Sequence, residues 1–158
     1  MENDSIVRQQ LINLLVKQQA HMSFEDAVAG FPAAHINTRP PNVEYTFWHL
    51  IEHIRICQWD ILDYIVNSKY VGLPFPEGYW SERASTTDIA GWQKTIDQFM
   101  ANRQALIDII KNPATDLYAQ IPHGYAGHNI LREIHVVADH NAYHTGELGI
   151  LRQVMGLW

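Results

Sequence analysis

Two histidines separated by three residues, His140 and His144, stand in the run Asp139-His140-Asn141-Ala142-Tyr143-His144-Thr145-Gly146-Glu147-Leu148. On an α-helix, residues four apart lie one turn above each other on the same face. Such a pair can offer a metal ion two imidazole nitrogens. A second pair at the same spacing, His49 and His53, lies in an earlier helical stretch. A third imidazole from that stretch would complete a three-nitrogen set and leave a position for water or substrate. Histidines that ligate a metal must be neutral and held by a neighbouring partner. A water or thiol bound at such an ion loses its proton near neutral pH and becomes a nucleophile. The competing reading is that nine histidines in 158 residues produce this spacing by chance, on the surface or in the core.

Helical angles favour one member of the earlier pair. At about 100° per residue, Phe47, Leu50, Ile51, Ile54, Cys57, Ile61 and Ile65 share one side of a helix over 43–67. His53 falls about 100° from the middle of that face and His49 about 140°, so His53 borders the buried stripe and His49 turns towards solvent. On the last helix Ile130, Ile134, Val137, Asn141, Leu148, Leu151 and Met155 form the inner face. His144 lies roughly 40° and His140 roughly 80° from its centre. Glu52, Asp139 and Glu147 are near in sequence and can support a ligand, but their angles do not select among them. Cys57 reads as a core residue rather than a ligand or nucleophile. Trp48, Trp59, Trp92 and Trp158 read as packing groups, while Trp80 and His123, in loops, are candidates for shaping access to a site.

Other metal and nucleophile architectures do not fit. A zincin helix needs Glu directly after its first His, where this chain has Asn141. Di-iron bundles use Glu-x-x-His on two helices, and no Ser sits in a Gly-x-Ser-x-Gly elbow.

The elements that must position these residues are helical. A first helix is expected over 4–19, with Ile6, Leu11, Leu14 and Leu15 as its apolar stripe. Ser23-Phe24-Glu25-Asp26 reads as a capping box opening a short helix over 25–29. Pro32, Pro40 and Pro41 make the following stretch a loop. After the helix over 43–67 comes a long connection, 68–86, rich in Pro, Gly and aromatics; such a length fits a crossover that leaves its flanking helices parallel. The next helix opens among the caps Ser85-Thr86-Thr87-Asp88 and runs to Lys111 before Pro113. The last is expected over 128–155, stopped by Gly156. The expectation is an all-α fold, a four-helix bundle with a long crossover between helices 2 and 3, as one domain over 1–158.

Composition excludes several function classes. No apolar run approaches the roughly 18–20 residues a membrane helix requires, and Met1-Glu2-Asn3-Asp4 lacks the basic and apolar regions of a signal peptide. A cytoplasmic protein is expected. The formal net charge is −6, with no cluster of Lys and Arg to track a phosphate backbone, so nucleic acid is disfavoured as a partner. A single cysteine rules out an internal disulfide and any multi-cysteine zinc site.

The closing run from Asp139, with Leu151-Arg152 and Gly156, resembles the last helix of DinB/YfiT-like proteins, whose usual form is His-x-x-x-His-x-Gly-Gln-Leu. Here Glu147 replaces the Gln. Trp48-His49-Leu50-Ile51-Glu52-His53-Ile54-Arg55, with Gln58-Trp59-Asp60-Ile61-Leu62, resembles that family's second helix. The resemblance runs from Ser23 to Trp158. It implies an up-down-down-up four-helix bundle and a three-histidine site for zinc, nickel or another divalent transition ion on His53, His140 and His144. It also implies a homodimer and a small-molecule substrate. Some members are S-transferases that use a low-molecular-weight thiol, others isomerases, and the family name implies no DNA binding. The expected function is a metal-dependent transferase or hydrolase. The rival is a non-catalytic metal-binding, stress-response or dimeric scaffold protein, with Gly156-Leu157-Trp158 as a contact.

Overall fold

Helix caps set most of the element boundaries in the computed structural model, which describes residues 2–158. Five α-helices follow in order: Glu2–Val16 (α1), Phe24–Val28 (α2), Phe47–Val66 (α3), Ile89–Lys111 (α4) and Ile130–Val154 (α5). Short 3₁₀ turns occupy Ala33–His35 and Glu77–Tyr79. Among the described residues the only strand-like pairing is an isolated bridge between Gln120 and Asn129. None of these helices is long and apolar enough to cross a membrane.

The caps explain where the expected boundaries move. Ser23 Oγ accepts the Asp26 N–H at 3.0 Å and opens α2. For α3 the start shifts from 43 to Phe47, because Thr46 and His49 form a reciprocal capping box. Asp88, last of the four expected caps, accepts from Gly91 N–H at 2.8 Å. Asn129 does the same for Arg132 N–H at 2.9 Å, so α5 begins at Ile130 rather than 128. Each side chain satisfies a backbone donor that the first helical turn leaves open. At the other end of α5, Gly156 adopts φ 66°, the left-handed conformation that closes a helix at low cost for glycine.

The most extensive contacts are those of α3 with α4 and α5; α1 lies against α4 and α5, and α2 against α5. The stripe expected on α1 holds only in part. Leu11 and Leu15 are buried, whereas Ile6 is 52% and Leu14 40% exposed. Ile6 stands about 140° round the helix from Leu11, too far to reach a core that α1 touches along one edge.

Apolar side chains gather in two clusters. One contains Phe24, Phe31, Phe47, Ile51, Phe99 and Leu148; the other contains Leu11, Leu106, Ile110, Leu117, Ile134 and Val137. Between them each of the three longest helices carries polar residues. On α5 these are His140, Asn141, His144 and Thr145, between Val137 and Leu148. On α4 it is Arg103, between Phe99 and Leu106, and on α3 His53, Cys57 and Gln58. Gln58 is fully buried and bridges the belt: its amide donates to the Phe99 carbonyl at 2.7 Å and its oxygen accepts from Asn141 at 2.9 Å. Buried polar groups persist only when hydrogen-bonded in this way.

Candidate metal centre

The polar belt brings three imidazoles from α3 and α5 together. His53 Nε2 lies 3.2 Å from His144 Nε2 and 3.2 Å from His140 Nε2. His140 and His144 project from one face of α5, ring centroids 4.6 Å apart, as their four-residue spacing requires. Cys57, one turn beyond His53, places its Sγ 3.6 Å from His53 Nδ1. Ligand atoms of His53, Cys57 and His140 all fall within 4.8 Å of one another, a group that could hold a metal ion. His53 is common to that trio and to the trio of imidazoles.

Hydrogen bonds to the outer nitrogens fix two tautomers. His53 Nδ1 is 2.8 Å from the Tyr79 carbonyl, which can only accept, so Nδ1 carries the proton and Nε2 presents a lone pair. His144 Nδ1 is 2.7 Å from the Glu147 carboxylate and donates to it in the same way. His140 Nδ1 is buried without a partner. A ring nitrogen has one in-plane lone pair and can accept one proton along it, yet two nitrogens close on His53 Nε2. A cation among the three nitrogens would satisfy both approaches at once, whereas a hydrogen bond from His140 Nε2–H would satisfy one of them. His53 and His144 are thus held as metal ligands are, while the outer nitrogen of His140 meets no hydrogen-bond partner.

Burial governs the protonation of these groups. Burial, followed by the neighbouring His144 and His53 rings, pushes His140 down to about 4, so its ring is neutral at pH 7. His53 is lowered too, mainly by burial. Burial raises the Glu147 carboxyl, but hydrogen bonds from His144 and Tyr45 outweigh it and leave the pKa below the ordinary value. Glu147 is thus a carboxylate accepting from both the Tyr45 hydroxyl and His144. Burial drives the Cys57 thiol up to about 12, so it stays protonated.

The crossover completes the site. Trp80 stacks on the His53 ring with centroids 3.9 Å apart and an interplanar angle of 4°. Tyr45 packs against Trp80 at 5.0 Å, and the two share a cleft of about 190 Å³ with Glu44, His49, Ser81 and Arg83.

Several sequence expectations change. His49 does not face solvent: it is 2% exposed, its Nδ1 accepts from Thr46 N–H at 3.2 Å, and Nε2 meets the Ser85 carbonyl at 3.0 Å. The crossover covers the side of α3 that an isolated helix would leave wet. Of the three nearby acids only Glu147 reaches a clustered ring; Glu52 pairs with Arg55 at 2.7 Å, and Asp139 is exposed. Cys57 adjoins the imidazoles instead of filling a core. His123 lies elsewhere, its Nε2 2.8 Å from the Tyr64 carbonyl. Trp92 packs in the core as expected, but Trp59 is 39% and Trp158 61% exposed. Leu157 is buried and its carbonyl accepts from Arg152 at 2.9 Å, so of the C-terminal trio Trp158 offers the large exposed side chain. Tyr45 was not singled out by the sequence, and Tyr79 only as one of the crossover's aromatics, because loop residues carry no periodicity to mark them.

Fold and site together define a helical protein with a partly buried cluster of histidines and a cysteine that could hold a metal. The chain belongs to the DinB superfamily, whose family profile matches residues 18–148 and so spans His53, His140 and His144. No curated protein and no solved structure matches it.

Proposed function

We propose that this protein is a metal-dependent enzyme of the thiol S-transferase or hydrolase type. In this reading Nε2 of His53, His140 and His144 holds one divalent transition ion, zinc or nickel. The observation that carries it is the approach of two nitrogens, each at 3.2 Å, to the single lone pair of His53 Nε2. Nitrogens that share a tetrahedral ion at ~2.0–2.1 Å stand about 3.3 Å apart, close to that spacing. When bound, the ion supplies Lewis acidity that favours the anionic form of a water or a small-molecule thiol.

The chain's own residues do the rest. The Tyr79 carbonyl and the Glu147 carboxylate hold the protons of His53 and His144 on their outer nitrogens, directing both lone pairs inward. Trp80 covers one face of His53 and keeps water from it. Tyr45, hydrogen-bonded to Glu147, borders the adjoining cleft and is placed to orient a small-molecule substrate. Cys57 stands beside the site, its Sγ 3.6 Å from His53 Nδ1, as a thiol that burial keeps neutral until an ion binds next to it.

Metal content after expression with zinc or nickel tests the site. About one ion per chain is expected, with loss in His140→Ala and His144→Ala and retention in Cys57→Ser. Full metal retention without His144, or loss on replacing Cys57, overturns the three-imidazole assignment in favour of the trio that includes the thiol. Assays for consumption of a low-molecular-weight thiol or for ester hydrolysis then test catalysis.

A second, non-catalytic reading is favoured by the site's place between two apolar clusters, where an ion would tie α3 to α5. Chelation separates the two: a structural ion takes much of the stability with it, whereas a catalytic one leaves a folded, inactive protein. We read the four long helices as an up-down-down-up bundle forming one domain. The exposed Tyr143, Ile150 and Val154 on α5 support packing of a second copy there.

A further inference from the structure

Tyr79 faces two ways. Its carbonyl meets His53, while its hydroxyl donates to Asp60 at 3.0 Å. Asp60 stands seven residues beyond His53 on α3, about 10 Å along the axis at 1.5 Å per residue. It lines a separate cleft of about 290 Å³ whose walls include Tyr64, Tyr70, Tyr79 and Tyr125. None of the clustered histidines lines this cleft.

The rings form a continuous aromatic wall. Tyr64 and Tyr70 meet edge to face at 5.0 Å, and Tyr64 and Tyr125 stack at 6.3 Å. Tyr64 is fixed by its hydroxyl, which accepts from Tyr125 N–H at 2.7 Å and lies 3.1 Å from His128 Nδ1.

Charge selects the ligand. Asp60 is 8% exposed and accepts from Tyr70 at 2.9 Å and from Tyr79, but among the described residues no cationic side chain pairs with it. Burial raises its pKa against the hydrogen bonds of the two phenols, and the nearby Asp63, another anion, adds to the rise. Glu133, the other acid lining the cleft, is already answered by Arg132 at 2.6 Å and approached by His128 at 3.3 Å. Buried carboxylates are ordinarily paired, and phenol faces attract cations. An anionic ligand would be repelled, and a neutral apolar one would leave Asp60 uncompensated.

We infer that the cleft between α3, the crossover and the start of α5 binds a small organic ammonium ion, with Asp60 as its counter-charge and the tyrosines as its aromatic walls. The inference does not rest on the proposed metal centre, none of whose histidines lines this cleft.

Titration calorimetry of the full chain with choline chloride and n-propylammonium chloride tests it, against the neutral alcohols 3,3-dimethyl-1-butanol and 1-butanol. At least one cation is expected to bind saturably and at least about tenfold more tightly than its neutral counterpart. Asp60→Asn and Tyr125→Ala should each weaken it by about tenfold. Tyr125 is 73% exposed, so its variant keeps the test alive if Asp60→Asn fails to fold. His140→Ala and added chelator should change nothing. No cation preference, indifference to both cleft variants, or loss of binding in His140→Ala would each overturn the assignment. Failure of the metal centre alone would leave it standing.

Discussion

Glu147 accepts from both His144 and Tyr45, so one carboxylate orients an imidazole and anchors a phenol. Partners of this kind are worth roughly 10–100-fold in metal affinity. Glu147→Ala should lower affinity by about that factor in a chelator competition titration, and Glu147→Gln by less, because an amide oxygen still accepts the His144 proton. The two histidines of α3 should separate cleanly. His53→Ala should abolish metal binding with a folded chain. His49→Ala should leave metal stoichiometry intact while costing about 2–4 kcal/mol in chemical denaturation, since it removes the cap partner and empties a buried site. A loss of metal in the second variant and not the first would reverse the assignment.

At the scale of elements, the two i,i+4 histidine pairs and the apolar stripes of α3 and α5 were legible because helical period alone fixes which residues share a face. The caps Ser23 and Asp88 were legible for a similar reason, since a short oxygen-bearing side chain before an apolar run satisfies open backbone donors. What period cannot express is contact across elements. His49 sits about 140° from the apolar stripe and would be wet on a lone helix; Ser85 lies over it. Glu52, Asp139 and Glu147 are equivalent in sequence, and the contact with His144 separates them. Trp80 and Tyr79 reach His53 from the crossover, whose path no local pattern dictates.

For the whole molecule, one ion pair ties three helices at the level of the polar belt. Arg103 of α4, buried, bonds Glu25 of α2 and the Leu15 carbonyl at the end of α1. Burial raises the Glu25 carboxyl, but the Arg103 hydrogen bond and charge together hold its pKa below the ordinary value of 4.5. A folded-state pKa below the unfolded one means the unfolded chain binds the proton first as pH falls. The pair's contribution is therefore present above about pH 4.5 and lost as pH drops through the lower folded value. Denaturation midpoints should fall across that window, and Glu25→Gln should flatten the dependence while lowering stability at pH 7. The effect is modest, because the Glu25 side chain is 43% exposed and solvent screens it.

By itself the sequence determined an all-helical chain with its histidines in register along two helices, since backbone hydrogen bonding and side-chain spacing are local. The helical angles and the family resemblance pointed to His53 with His140 and His144; tertiary structure alone decided that Glu147 and Tyr79 set the tautomers and that Asp60 is held by tyrosines with no cation beside it. Those outcomes depend on how helices separated by some ninety residues abut and on where the crossover lies between them. Such distances come from packing, which no single segment encodes.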